Sequence, residues 1–324
     1  MIISGIDLGG TKLSLAVFTE KGKMLHKETT ALNNRTGKQV GQLITTAIKQ
    51  LMIQQKALGN EIISIGIAVP GISRIKTGTV WAPNIAGWDD YPLLDEVTQI
   101  SDGIPIKIDS DRACYILGES WQGNARGCND AIYLAVGTGI GAGILSGGHV
   151  LYGAHDIAGA IGWMALNRPF DDKYISCGCF EYHASGEGMV KVAREILQNN
   201  KTYSGELRSK KRLEITAHDL FTAYENNDAI AIDVIKQCIE FWGMAIANLV
   251  SMFNPEKIIL GGGIFGPAVQ FISAIKNEAG KWAQPVSIKQ VSIESSALGT
   301  DAGLYGAALL ALQKVNSGIN HRDV

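Results

Sequence analysis

Two related α/β domains are predicted for this chain, on three observations. A length of 324 residues exceeds what one hydrophobic core usually organises. Apolar strand-like runs alternate with stretches of helical periodicity. A strand, glycine turn, strand pattern at the beginning of the chain recurs near its middle.

The first pass opens with the apolar run Ile2 to Ile6, which ends in Asp7-Leu8-Gly9-Gly10-Thr11. Alternating Leu13, Leu15 and Val17 form a second strand, and Lys21-Gly22-Lys23 a turn into a third. Val40, Ile44, Ala47, Ile48 and Leu51 recur at helical spacing between Lys38 and Leu58, with Gly59 as the stop. A strand at Ile62 to Val69 follows, then a loop from Pro70 to Pro92, a short helix and the strand Pro105 to Ile108. That strand runs into Asp109-Ser110-Asp111 and a helix expected to end near Gly118.

The second pass starts at Ala131, with strands at Ile132 to Val136, Ile140 to Leu145 and His149 to Tyr152 around the turns Gly137-Thr138-Gly139 and Gly147-Gly148. Thr11 and Thr138 correspond: each follows a glycine and precedes a strand, a turn and a second strand, ending at Leu25 or Leu151. Helices are predicted at Gly188 to Leu197, Ala217 to Glu225 and Ile230 to Phe253, then a buried strand Lys257 to Leu260 ending in Gly261-Gly262-Gly263, a helix Pro267 to Trp282 and a last helix Gly303 to Val315. The expected division is a first lobe of residues 1–118 plus the C-terminal helix, about 303–324, and a second lobe of 119–302, with a central cleft.

Composition narrows the partners. Hydrophobic residues at 46% and charged residues at 19% describe a globular protein, and a formal charge of -2 gives no electrostatic reason to expect nucleic acid. The one basic cluster, Arg208, Lys210, Lys211 and Arg212, sits in a polar stretch and reads as a solvated loop. No basic leader precedes Met1-Ile2-Ile3 and nowhere do eighteen apolar residues run together, so no membrane partner and a cytoplasmic location are expected. The five cysteines lack the spacing of a disulfide framework.

Glycine-rich strand ends can offer successive backbone N–H groups to an anion, because no Cβ blocks approach. Asp7-Leu8-Gly9-Gly10-Thr11-Lys12 and Gly137-Thr138-Gly139 are two such ends, each with a threonine hydroxyl as a further donor. Either alone reads equally as a tight hairpin; at corresponding points of two domains they point to phosphate binding. A charged Asp7 at a buried strand end needs a cation, which Mg²⁺ on a nucleotide phosphate would supply. Gly261 to Gly263 would let a base or ribose lie against bare backbone. Asp111 opens a helix whose positive end should keep its carboxylate ionised and able to accept a proton. Asp109, Ser110 or Asp111 could equally serve as the N-cap.

These residues bring the chain to a known family. IDLGGTK at 6–12, AVPG at 68–71, PNIAGW at 83–88, Asp111 to Glu119, AVGTGIGAGIL at 135–145, YGAHDIAGAIG at 152–162, FEYHASG at 180–186 and LGGGI at 260–264 resemble, in order and spacing, the ROK family of bacterial sugar kinases and sugar-responsive repressors. The resemblance implies a two-lobed actin/Hsp70/hexokinase-like (ribonuclease H-like) fold and ATP- and Mg²⁺-dependent phosphorylation of a sugar or polyol. It places the ATP phosphates on Asp7, Gly9, Gly10, Thr11, Lys12, Gly137, Thr138 and Gly139, and the adenosine on Gly261, Gly262 and Gly263. Asp111 becomes the general base. Gly71, Asn84, Ser110, Trp163 and Glu181 join it around the sugar, and a homodimer is implied.

Departures from the family pattern sharpen the expectation. Ser110 stands where the family has Asn, and Ala160 and Trp163 replace a glutamate and a histidine of the Gly-Glu-Ile-Gly-His stretch. One wall of the sugar pocket is therefore more apolar, and a modified hexose or cyclic polyol is expected in place of plain glucose, with Trp163 stacking on its apolar face. The family's structural zinc uses that histidine and three cysteines. Cys177 and Cys179, even with His183, leave a four-ligand site short, so no structural zinc is expected. A repressor would carry a helix-turn-helix ahead of the first strand, so a DNA-binding repressor is not the expectation; a silent sugar or nucleotide binder or a regulatory member of the family is the alternative.

Overall fold

The computed structural model describes residues 1–209 and 211–319, apart from the side chains of Arg212 and residues 316–319; Lys210 of the basic cluster lies outside the described residues. In chain order, β1 (Ile2–Leu8), β2 (Lys12–Thr19), β3 (Met24–Ala31), α1 (Gly37–Ala57), β4 (Ile62–Val69), β5 (Ile72–Ser73), β6 (Val80–Trp81), α2 (Leu93–Thr98), β7 (Ile106–Ser110) and α3 (Asp111–Gln122) come first. They are followed by β8 (Ala131–Val136), β9 (Ile140–Ser146), β10 (His149–Val150), α4 (Cys179–Ala184), α5 (Gly186–Asn199), α6 (Ala217–Glu225), α7 (Ala229–Phe253), β11 (Lys257–Gly261), α8 (Ile272–Trp282), α9 (Ser287–Gln290), β12 (Ser292–Ser295) and α10 (Ala302–Ile319).

The two main sheets have one topology. The first is ordered β3-β2-β1-β4-β7 and the second β10-β9-β8-β11-β12. In each, an antiparallel hairpin (β1–β2, β8–β9) is extended by two parallel strands. The internal repeat expected from the glycine turns is thus a repeat of whole five-stranded sheets. β12 escapes sequence reading because only Ile293 among Ser292-Ile293-Glu294-Ser295 is buried and apolar. Its pairing with β11, not its composition, makes it a strand.

The chain divides into one unit of Met1–Gly127, Val150–Ala158 and Thr300–Val324, and another of Cys128–His149 and Gly159–Gly299. α3 runs on past Gly118 to Gln122. Gly118 is no helix stop: a Cβ there would stand 2.4 Å from the Ala302 carbonyl oxygen, so the glycine marks where α10 passes. Residues 150–158 return to the first unit, where the Tyr152 hydroxyl donates to Asp109 Oδ2 at 2.7 Å.

α10 lies against the backbone of the first sheet. A Cβ at Gly66 in β4 would fall 1.8 Å from the Ala307 carbonyl oxygen, and one at Gly306 would fall 1.7 Å from that of Cys114 in α3. Such close backbone approach is available only to glycine, and it sets α10 at the depth where its first turn reaches the end of β1. In the second unit α7 carries fully buried Trp242, Ala245, Ile246 and Leu249 into a core shared with β8 and β11. Each large apolar side chain so enclosed contributes roughly 1.5–3 kcal/mol relative to exposure.

Candidate functional site

In the first unit the strand register brings the acidic residues into one place. Asp7 pairs with Ala68 and Ala68 with Asp109, so the carboxylates of β1 and β7 lie on one row across β4, with Asp111 at the first position of α3. Of the three candidates, Ser110 is the N-cap: its Oγ accepts the Ala113 N–H at 3.3 Å. The hydroxyl placed at the sugar by resemblance thus also caps the helix, and its O–H remains a donor. Asp111 Oδ1 accepts the N–H of Arg112 at 2.8 Å, and Oδ2 has no hydrogen-bond partner among the described residues. Arg112 in turn donates to the Gly71 carbonyl at 3.1 Å, tying that loop to α3.

The loop carrying Asn84 is anchored by Trp88, which is 1% exposed, stacks on Tyr91 at 4.5 Å between ring centroids and donates from Nε1 to the Gly37 carbonyl at 3.0 Å. Asn84 lies by Gly10, its side chain 3.8 Å from where a Cβ on that glycine would be. Gly10, Thr11 and Lys12 are exposed, and the Gly9 N–H donates to the Lys12 carbonyl at 2.9 Å, closing the turn.

Burial is the main cause of the charge behaviour here. It raises the Asp7 carboxyl to about 7, with Asp111 adding repulsion and Lys12 opposing it. Asp111 is raised to about 6 by burial, opposed by the Arg112 charge and N–H. The helix start expected to keep Asp111 fully ionised is thus outweighed by desolvation, yet at pH 7 most of it is still charged. Asp109, 3% exposed, is also raised by burial, against the Tyr152 hydroxyl and the Ser110 N–H. The motifs assign no role to Tyr152 or to Gly303, where a Cβ would stand 2.5 Å from Asp7 Oδ2.

A raised carboxyl means the folded state binds more protons than the unfolded one. The stability Asp7 contributes is complete below its ordinary value of 3.8 and is lost as pH rises through about 7. Asp7→Asn, which keeps the shape without the charge, is expected to stabilise the ligand-free protein by about 1–3 kcal/mol at pH 8 and by nothing measurable near pH 4. Thermal melts at both pH values check this; a variant less stable than the parent at pH 8 sinks it.

In the second unit Gly137-Thr138-Gly139 connects β8 to β9 and borders a cavity of about 650 Å³. Thr138, Lys191, Arg194, Thr216 and Gly263 are among its lining residues. That volume suits a small-molecule ligand. The buried Nε of Arg194 has no hydrogen-bond partner, while its Nη2 is held by the Leu213 and Ile215 carbonyls at 2.9 and 3.0 Å. The three glycines after β11 differ in their reasons. A Cβ at Gly261 would strike the Tyr133 hydroxyl at 1.9 Å and Gly262 has φ +88°, whereas a Cβ at Gly263 would meet nothing within 4 Å. Of these three only Gly263 presents bare backbone to the cavity, as Gly137 does from the turn after β8. An open glycine turn, an unpaired guanidinium N–H and two cationic side chains fit an anionic, nucleotide-sized occupant. In the first unit, a carboxylate held costly by burial fits a magnesium ion.

Zinc does not fit. Cys177 and Cys179 are free thiols, and both His183 ring nitrogens are engaged, Nε2 with the Tyr174 hydroxyl at 2.9 Å and Nδ1 with Gln237 Nε2 at 2.7 Å. Burial lowers the His183 imidazole to about 4, and its ring stacks on Phe241 at 4.5 Å. Among the described residues no three His, Cys, Asp or Glu side chains gather as a metal site. Likewise no described helix is long and apolar enough to cross a membrane.

Two five-stranded α/β sheets, each with a glycine turn after its first strand, define a duplicated fold of the actin and hexokinase type. The chain belongs to the ROK family, whose sequence profile matches residues 3–314. It is 33% identical to a glucokinase of Halalkalibacterium halodurans over 321 residues, 97% of this chain and 96% of the relative. It is 31% identical to a xylose repressor of Caldicellulosiruptor bescii over 264 residues, 80% of this chain and 65% of the repressor. The structure of a ROK glucokinase from Streptomyces griseus in complex with glucose and AMPPNP superposes with a TM-score of 0.79 at 28% identity, covering 97% of this chain and 100% of that one.

Proposed function

We propose that this protein is an ATP-dependent sugar kinase in which Asp111 is the general base. The observation that carries the reading is the Asp111 carboxylate, with one oxygen fixed by the Arg112 N–H, the other without a hydrogen-bond partner among the described residues, and its charge felt by Asp7. When bound, MgATP would supply the phosphoryl group, and its magnesium ion the positive charge that offsets the negative charge on the phosphate oxygens. Asp111 Oδ2 accepts the proton of the substrate hydroxyl as that oxygen bonds to the γ-phosphorus and the bond to the β,γ-bridging oxygen breaks. Asp7 would hold the magnesium ion. Amides and hydroxyls of Gly9 to Lys12 and Gly137 to Gly139 bind the phosphates, and Gly263, Lys191, Arg194 and Thr216 receive the rest of the nucleotide.

Gly71, Asn84, Trp163 and Glu181 serve the sugar. Trp163 is 58% exposed, leaving its indole free to stack on a ligand, and Ala160 offers no carboxylate. These two positions support a modified hexose or cyclic polyol over plain glucose. A panel of hexoses, amino sugars, anhydro-sugars and inositols assayed with MgATP is expected to show a modified sugar turned over with kcat/KM at least about tenfold above glucose, the discrimination one apolar contact supplies. Efficient phosphorylation of plain glucose overturns the substrate assignment. A sugar-sensing role has support in the xylose-repressor relative. Absence of sugar-dependent ADP release across the whole panel would favour it over the kinase.

A further inference from the structure

Glu181 stands on α4, and its carboxylate does something other than await a sugar. Its Oε2 accepts the N–H of Ile140 at 2.6 Å, the residue immediately after the Gly137-Thr138-Gly139 turn. The same turn is held from its other side by the start of α5. The Gly186 N–H donates to the Gly137 carbonyl at 2.7 Å and the Glu187 N–H to the Thr138 carbonyl at 3.3 Å, while the Gly137 N–H closes on the Gly139 carbonyl at 2.9 Å.

Ser185 caps α5 through the Gly188 N–H at 2.9 Å and joins it directly to α4, so the carboxylate and the two amides belong to one helical corner. With the carbonyls of 137, 138 and 139 and the amides of 137 and 140 committed, the amides of Thr138 and Gly139 are the donors the turn has left, among the described residues.

The surroundings are shaped to the glutamate. A Cβ at Gly139 would lie 2.7 Å from Glu181 Oε2, and one at Gly162 would lie 3.0 Å from both its Cβ and its Oε2. Two glycines on separate segments therefore make room for a carboxylate at this depth. Among the described residues it has no ion pair, and the Ile140 N–H is its one hydrogen-bond donor from the protein. A half-buried acid that meets its hydration loss with one short bond to a phosphate-loop backbone is holding that backbone in place.

We propose that Glu181 is a positioning residue for the nucleotide-phosphate turn of the second unit, acting through the Ile140 amide. This rests on the kinase reading above and extends it, because one side chain then serves the turn and the sugar alike. It predicts that nucleotide affinity depends on Glu181 even when no sugar is present, which a purely sugar-contacting residue would not show.

The test is titration of the full-length protein with AMPPNP and Mg²⁺ in the absence of sugar, by calorimetry, for the parent, Glu181→Gln, Glu181→Asp and Glu181→Ala. Gln keeps an oxygen acceptor at the same reach and is expected to bind within about threefold of the parent. Asp keeps the charge but is one methylene short, and Ala has neither; both are expected to bind roughly tenfold or more weakly, the loss of one charge-assisted hydrogen bond. In turnover assays the loss should appear in the KM for ATP. Melting temperatures within a few degrees of the parent establish that each variant is folded, and the Asp variant keeps the test open should Ala fail to fold. Parent-like affinity in Asp or Ala overturns the inference while leaving the kinase reading in place. Failure of the parent itself to bind AMPPNP overturns both.

Discussion

Asp111→Asn is expected to lower kcat for sugar phosphorylation by roughly 10²–10⁴-fold, the usual contribution of a positioned general base, while AMPPNP binds as before. Asn preserves the side-chain oxygen that accepts the Arg112 N–H, so the start of α3 stays in place and the loss is chemical. The unsubstituted enzyme should show the same residue in its pH profile. With Asp111 raised to about 6, the base is charged at neutral pH and protonates as pH falls, so kcat/KM should drop toward tenfold per unit below about 6. Asp7 repels Asp111, so the two titrate as a pair, and a cation on Asp7 pulls the limb lower. A rate independent of pH from 5 to 8, or an undiminished kcat in the Asn variant, removes Asp111 from the mechanism.

The second large effect is on the scaffold. Gly306→Ala would place a Cβ 1.7 Å from the Cys114 carbonyl oxygen, a clash between two backbones that no rotamer change relieves. Lifting α10 from α3 and β4 is expected to cost about 3 kcal/mol or more, and to lower Tm by roughly 6–12 °C. Because α10 also brings Gly303 to Asp7, activity should fall before the protein melts. Gly280→Ala in α8 is the control: nothing lies within 4 Å of its added Cβ, and the better helix propensity should leave Tm equal or slightly raised. Equal melting of the Gly306 variant and the parent would show that α10 packs otherwise.

Much of this was legible before any coordinates. Hydrophobic periodicity and glycine turns place β1 to β4, α1, β7 to β9, α7 and β11, because each carries its own apolar pattern. The helix from 267 is less regular than its periodicity suggests, with residues Pro267–Phe271 in a 3-10 turn ahead of α8. α4 was missed although it carries Glu181: six residues are too few to show a helical repeat. Gly118 was misread since a glycine required by a crossing helix and one that ends a helix look alike in sequence.

What the amino-acid order alone determined was the duplicated α/β plan with its two glycine turns, because those depend on residue type and local spacing. Tertiary structure alone decided that Ser110 is the residue that caps α3, that burial outweighs the helix end at Asp111, and that Glu181 reaches the Ile140 amide. It also decided that only Gly263 of its glycine run faces open space. Each of these depends on which distant backbone comes within a few ångströms, and that is settled only once sheets and helices have packed.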